Sequence, residues 1–148
     1  MHKPALIAHL NGLLATKAHD LQTELAATLE ARNSDTKSSA GDKHEVCRAM
    51  VQQELDQLEA QLAKVQVMQQ ELERVLLDRV YDRVAFGSLV TTDHGSYFIA
   101  IGLGAVEVGG ETCYAISLAS PIGQALKDKK VGDVVVFNGK RITINAIS

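Results

Sequence analysis

The chain has 148 residues and a formal net charge of −3, a length that fits one domain or two small ones with modest cores. The acidic excess lies in residues 1–80 and no arginine-rich stripe occurs, which argues against a large electrostatic footprint on bare duplex DNA. Nothing approaches the roughly twenty apolar residues of a membrane span, and Met1-His2-Lys3-Pro4-Ala5-Leu6 carries no secretory run, so a soluble cytoplasmic protein is expected.

The first predicted element is a long helix. Leu6, Leu10, Leu13, Leu14, Ala18, Leu21, Leu25 and Leu29 recur every three or four residues, as one helix face requires. Pro4 suits a first turn, where its missing N–H costs nothing. A polar break over residues 33–42 follows. Val51, Leu55, Leu58, Leu62, Val65, Leu72 and Leu76 then form a heptad seam on a second helix, expected over residues 42–78 and interrupted by Gln69. The Asp42 to Glu45 spacing is that of a capping box, in which each carboxylate satisfies an N–H of the first turn. A short connection between two helices with long apolar stripes implies an antiparallel hairpin, because the stripes satisfy each other without a second chain. A monomer is expected on that ground. Asp35, Asp42 and Glu45 would lie at its tip, where oxygen ligands suit a hard divalent cation shared with another macromolecule.

Beyond Tyr81 the chain is glycine-punctuated and β-branched. Residues 84–92 and 96–101 read as strands around an Asp93-His94-Gly95 turn. Gly102, Gly104, Gly109 and Gly110 lack the strand–GxGxxG–helix context of a dinucleotide site and read as turns in a less regular passage. A strand over 112–118 follows. Ser120-Pro121 supplies an N-cap and first-turn pair for a short helix ending near Lys127. Val134–Phe137, the Asn138-Gly139 turn and residues 140–147 make the strongest hairpin signal in the chain. The expected fold is α+β: a long antiparallel helical hairpin (residues 1–80), then an antiparallel sheet domain with one short helix (residues 81–148). Tyr97, Phe98, Tyr114 and Phe137 are assigned to its core, and His94 to a solvated turn. Cys47 and Cys113 lack metal-ligand spacing and are expected to be reduced and buried. No nucleophile–base grouping emerges.

The run from Ile116 to Leu126 (Ile-Ser-Leu-Ala-Ser-Pro-Ile-Gly-Gln-Ala-Leu), then Lys129-Lys130-Val131-Gly132-Asp133-Val134-Val135, resembles bacterial transcript-cleavage elongation factors of the Gre family. Val84–Val90 resembles the opening of their C-terminal domain. The resemblance implies an FKBP-like C-terminal domain that docks near the secondary channel of RNA polymerase, and a hairpin that enters it. In that family, tip carboxylates help hold a catalytic magnesium ion, and polymerase then cleaves backtracked RNA. Nucleic acid is met mainly indirectly, through the transcription complex. The implied partner-binding residues are Ser39, Asp42, His44 and Glu45 at the tip, with Ser120, Pro121, Lys129 and Lys130 on the sheet domain.

The tip departs from the family pattern, a Gly-Asp pair followed after two residues by Glu-Asn-Ala-Glu-Tyr. Ser38 and Ser39 stand at the Gly-Asp positions, and Asp42 replaces the first Glu. Lys43 and His44 stand at Asn and Ala, Glu45 keeps the second Glu, and Val46 replaces Tyr. A hydroxyl cannot give a hard metal ion the field of a carboxylate. The expected function is therefore regulation of elongation from the secondary channel, by a protein that is not itself an enzyme. No intrinsic cofactor is expected, and any magnesium would be shared with polymerase through Asp42 and Glu45. An active cleavage factor using Asp42 with Asp35 or Glu45, and a structural or chaperone-like module, are the alternatives.

Overall fold

The computed structural model describes the backbone of residues 2–35 and 41–148, and the side chains of residues 2–33 and 46–148. Two long helices, α1 (Lys3–Asp35) and α2 (Gly41–Glu73), precede six strands and a six-residue helix. Each long helix has 33 residues, or about 50 Å at 1.5 Å per residue. By contact, the chain divides into Gly12–Gln69 and a second unit made of Met1–Asn11 with Gln70–Ser148.

In the Gly12–Gln69 unit the helices run antiparallel. Arg32 Nη1 donates to Gln52 Oε1 at 2.8 Å, while Leu25 and Leu29 of α1 share a groove with Leu55 and Glu59 of α2. Rising numbers on one helix thus meet falling numbers on the other. Leu14, Leu55, Leu58 and Val65 are buried, so the apolar stripes face each other as their spacing requires. Leu62 is half-buried, whereas Leu13 and Leu29 stay largely exposed.

The other unit begins with the first turns of α1, where Leu6, Ile7 and Leu10 are buried, as are Leu72 and Val75. Helix α2 ends at Glu73, five residues before the sequence expectation. Arg74 N and Val75 N bond back only three residues, to Glu71 O and Leu72 O, the tightened turn that commonly closes a helix. Leu76 therefore leaves the seam and is 56% exposed. In the segment that follows, Lys3 Nζ and the Arg79 guanidinium each lie 5.0 Å from the Tyr81 ring centroid. Lys3 is buried, and among the described residues its ammonium has no hydrogen-bond partner. Desolvation pulls its pKa below the usual lysine value, and the ring face supplies the remaining attraction.

The strands are β1 (Leu89–Thr92), β2 (Gly95–Ile99), β3 (Gly104–Val108), β4 (Glu111–Ile116), β5 (Val134–Phe137) and β6 (Lys140–Ile147). They form one sheet in the order β3-β4-β2-β1-β6-β5. The passage expected to be irregular is in part β3, an edge strand paired with β4. Because β3 takes the edge, β4 returns beside β2 in parallel register; the other four pairings are antiparallel. Residues 84–88 lie outside β1, and there Ser88 Oγ donates to Ala85 O at 2.7 Å and accepts from Ala85 N at 3.1 Å. Asn138 and Gly139 turn the chain at φ 49° and 76°, the left-handed pair that a two-residue hairpin favours.

One face of the sheet packs on helix α3 (Pro121–Leu126). Val84, Val90, Ile99, Leu126, Val135 and Ile144 form the buried cluster there. Gly123 sits against backbone: a Cβ at that position would lie 2.2 Å from Ser117 O and 2.9 Å from Leu118 O.

Candidate functional site

The register of the sheet gathers aromatic side chains next to α3. Facing residues on neighbouring strands point to the same side, so the Tyr97–Tyr114 and Ile99–Ile116 pairs of β2 and β4 share a face. Ile99 enters the cluster beneath Leu126. Tyr97 is partly buried against this cluster, and the Tyr114 ring beside it is 37% exposed. The two rings stack with centroids 5.4 Å apart and planes 29° from parallel. Together with Ile116, Ile122, Phe137 and Ile142 they line an open groove of about 530 Å³.

Polar groups gather at the β5–β6 end. His94, Asn138 and Lys140 complete the lining. The His94 turn is held from several sides. Thr92 Oγ1 accepts from His94 N at 3.1 Å and donates to Gly95 O at 2.7 Å, and Asp93 Oδ1 accepts from Thr143 N at 2.9 Å. His94 Nε2 lies 3.0 Å from Arg141 O; a carbonyl only accepts, so Nε2 carries the hydrogen and Nδ1 is left for another partner. Burial raises the Tyr97 phenol above its usual range, with smaller contributions from Tyr114 and Asp93. This site was missed from sequence. Strand alternation placed Tyr97, Phe98, Tyr114 and Phe137 in the core: Phe98 is fully buried, Tyr97 packs against the core cluster and Phe137 is half-buried, whereas Tyr114 is 37% exposed.

Ser120 caps α3: its Oγ accepts from Gly123 N at 3.1 Å and donates to Ser117 O at 2.7 Å. Pro121 follows, exposed, at the first helical position. Lys129 and Lys130 are exposed beyond the other end of α3, about 9 Å along the axis at 1.5 Å per residue. Their backbones fix the approach to β5, through Val84 N to Lys129 O at 2.9 Å and Lys130 N to Asp133 Oδ2 at 2.8 Å.

At the hairpin, Asp35 is the last residue of α1, and α2 starts at Gly41, one residue before the expected Asp42 cap. The side chains of Asp35, Asp42, His44 and Glu45, and all of Ser39, lie outside the described residues. Among the described residues no group of three His, Cys, Asp or Glu could hold a metal ion. Val46 and Met50, one turn apart on α2, are 60% and 65% exposed. Cys47, expected to be buried, is exposed because it lies off the seam, whereas Cys113 is buried; both are free thiols. Gln52 links two partners, accepting from Arg32 and donating to Asp56 Oδ1 at 3.0 Å. Among the described residues no helix is long and apolar enough to cross a membrane.

No protein-family model and no curated protein matches the chain. Among solved structures it is similar to that of the transcription factor Gfh1, with 20% identity over 93% of this chain and 92% of that chain, at a TM-score of 0.37.

Proposed function

We propose that this protein regulates transcription elongation by binding RNA polymerase and placing its helical hairpin in the secondary channel. In this reading residues 1–80 are the arm and residues 81–148 the domain that docks at the channel mouth through Pro121, Lys129 and Lys130. The observation that carries it is the succession of two 33-residue helices and a sheet unit in a chain whose Ile116–Val135 stretch resembles the Gre family. Within the Gly12–Gln69 unit the antiparallel helices form a narrow body, and exposed Val46 and Met50 give it an apolar surface for a partner. Ser39 stands where the family has an acid, so the arm occupies the channel without completing a metal site. Regulation then comes from occupancy.

Pull-down with the cognate core polymerase, followed by protein crosslinking, tests this. Crosslinks from residues 33–45 should fall inside the channel and those from residues 120–130 near its rim. Absence of binding, or crosslinks confined to a distant face, overturns the proposal.

A further inference from the structure

The groove beside α3 has the dimensions and lining of a ligand site. Its volume of about 530 Å³ lies within the roughly 300–1,000 Å³ typical of small-molecule pockets. Its walls are flat or branched apolar side chains, and the stacked Tyr97–Tyr114 pair offers a planar surface. Charge sits at one end only. Among the described residues Lys140 is the one formally charged lining residue, with His94 and Asn138 beside it, and no carboxylate lines the groove. Asp93, which lies outside the lining but 3.9 Å from His94 Nε2, accepts from the β6 backbone at Thr143 N. With His94 Nε2 directed to Arg141 O, the end of the groove is lined by the Lys140 ammonium, the Asn138 amide and the His94 ring beside an aromatic floor.

We propose that this groove binds a small aryl carboxylate, its ring on Tyr97 and Tyr114 and its carboxylate at Lys140. The argument is charge complementarity: Lys140 is the formally charged lining residue among the described residues, and a carboxylate makes a charge-assisted contact with it that a neutral ring cannot. The proposal rests on the groove lining and not on the polymerase reading, and its test uses the chain without polymerase.

Titration of the full chain, followed by amide NMR shifts, tests the idea with three probes. Naphthalene-2-carboxylate should give saturable shifts concentrated around Tyr97, Tyr114, Phe137 and Lys140. Naphthalene-2-methanol, which keeps the ring and loses the charge, should bind about tenfold more weakly, as expected for loss of a charge-assisted hydrogen bond. Lys140→Gln, at an exposed position that leaves the fold intact, should weaken the carboxylate about tenfold and leave the alcohol unchanged. Equal affinity for acid and alcohol, shifts away from the groove, or an unaltered Lys140→Gln titration overturns the assignment. Tighter binding of the uncharged peptide acetyl-Ala-Phe-Ala-amide at the same residues also overturns it, making the groove a peptide site.

Discussion

Ser120 and Gly123 are bound to each other through the start of α3: the Ser120 hydroxyl accepts from the Gly123 amide at 3.1 Å, and Gly123 has only backbone where a side chain would project. The pair fixes the exposed position of Pro121 and the line along which α3 crosses the sheet. Ser120→Ala should destabilise the sheet unit by about 0.5–2 kcal/mol, the usual cost of losing an N-cap. Ser120→Asp should recover only part of this, because a carboxylate accepts from Gly123 N but cannot donate to Ser117 O. Urea unfolding of the three proteins decides it; equal midpoints reject the capping role.

Gly123→Ala tests the other partner. The added Cβ would meet Ser117 O at 2.2 Å, and a carbonyl within a capped turn cannot step aside as a flexible side chain does. Overpacking of this kind costs about 1–3 kcal/mol. A thermal melt no lower than that of the parent would show that α3 shifts freely on the sheet.

The hairpin seam makes its own forecast. Leu58 is buried and Leu62 half-buried, so Leu58→Ala should cost about 2–5 kcal/mol and Leu62→Ala clearly less. Circular dichroism melting at the helix band, run beside polymerase binding, separates loss of arm rigidity from loss of tip chemistry. Equal, negligible effects would count against the intramolecular seam.

The two thiols should behave oppositely. Cys47 is exposed and Cys113 buried, so a thiol reagent should modify one cysteine per native chain and both after unfolding. Burial raises the Cys113 thiol from 9.0 to about 11. A thiol whose folded pKa is raised contributes stability that is complete below its unfolded value and is lost as pH rises through the folded one. Stability should therefore fall between pH 9 and about 11, and Cys113→Ala should flatten that fall in alkaline urea titrations. An unchanged slope in the variant would assign the loss to other groups.

On backtracked polymerase the protein should stimulate RNA cleavage little, and Ser39→Asp should increase magnesium-dependent cleavage. Strong parental cleavage that disappears with Asp35→Asn while binding persists would favour a rearranged acidic tip.

Local chemistry made much of the fold legible. Leu55 and Leu58 are buried as heptad spacing demands, Ser120-Pro121 opens α3, and Asn138-Gly139 turns the last hairpin. Features set by distant neighbours were not. Val75 and Leu76 continue an apolar rhythm that the tightened turn after Glu73 breaks. Strand β3 was hidden by Gly102 and Gly104 and exists as a partner for β4. The aromatic groove could not be read at all, because it depends on the register that sets Tyr97 of β2 beside Tyr114 of β4.

Leu89 and Ser148 exchange both backbone hydrogen bonds, each at 2.9 Å, where β1 meets β6. That reciprocal closure brings a kinetic consequence. The β1–β2 hairpin needs only its own turn, but the other flank of β1 stays open until residues more than fifty positions away arrive. Contacts of such sequence separation slow folding toward the roughly millisecond-to-second range, whereas the helical arm is built largely from neighbours within each helix. Until β6 docks, β1 is an unsatisfied edge, and during this interval the nascent sheet is most open to mispairing.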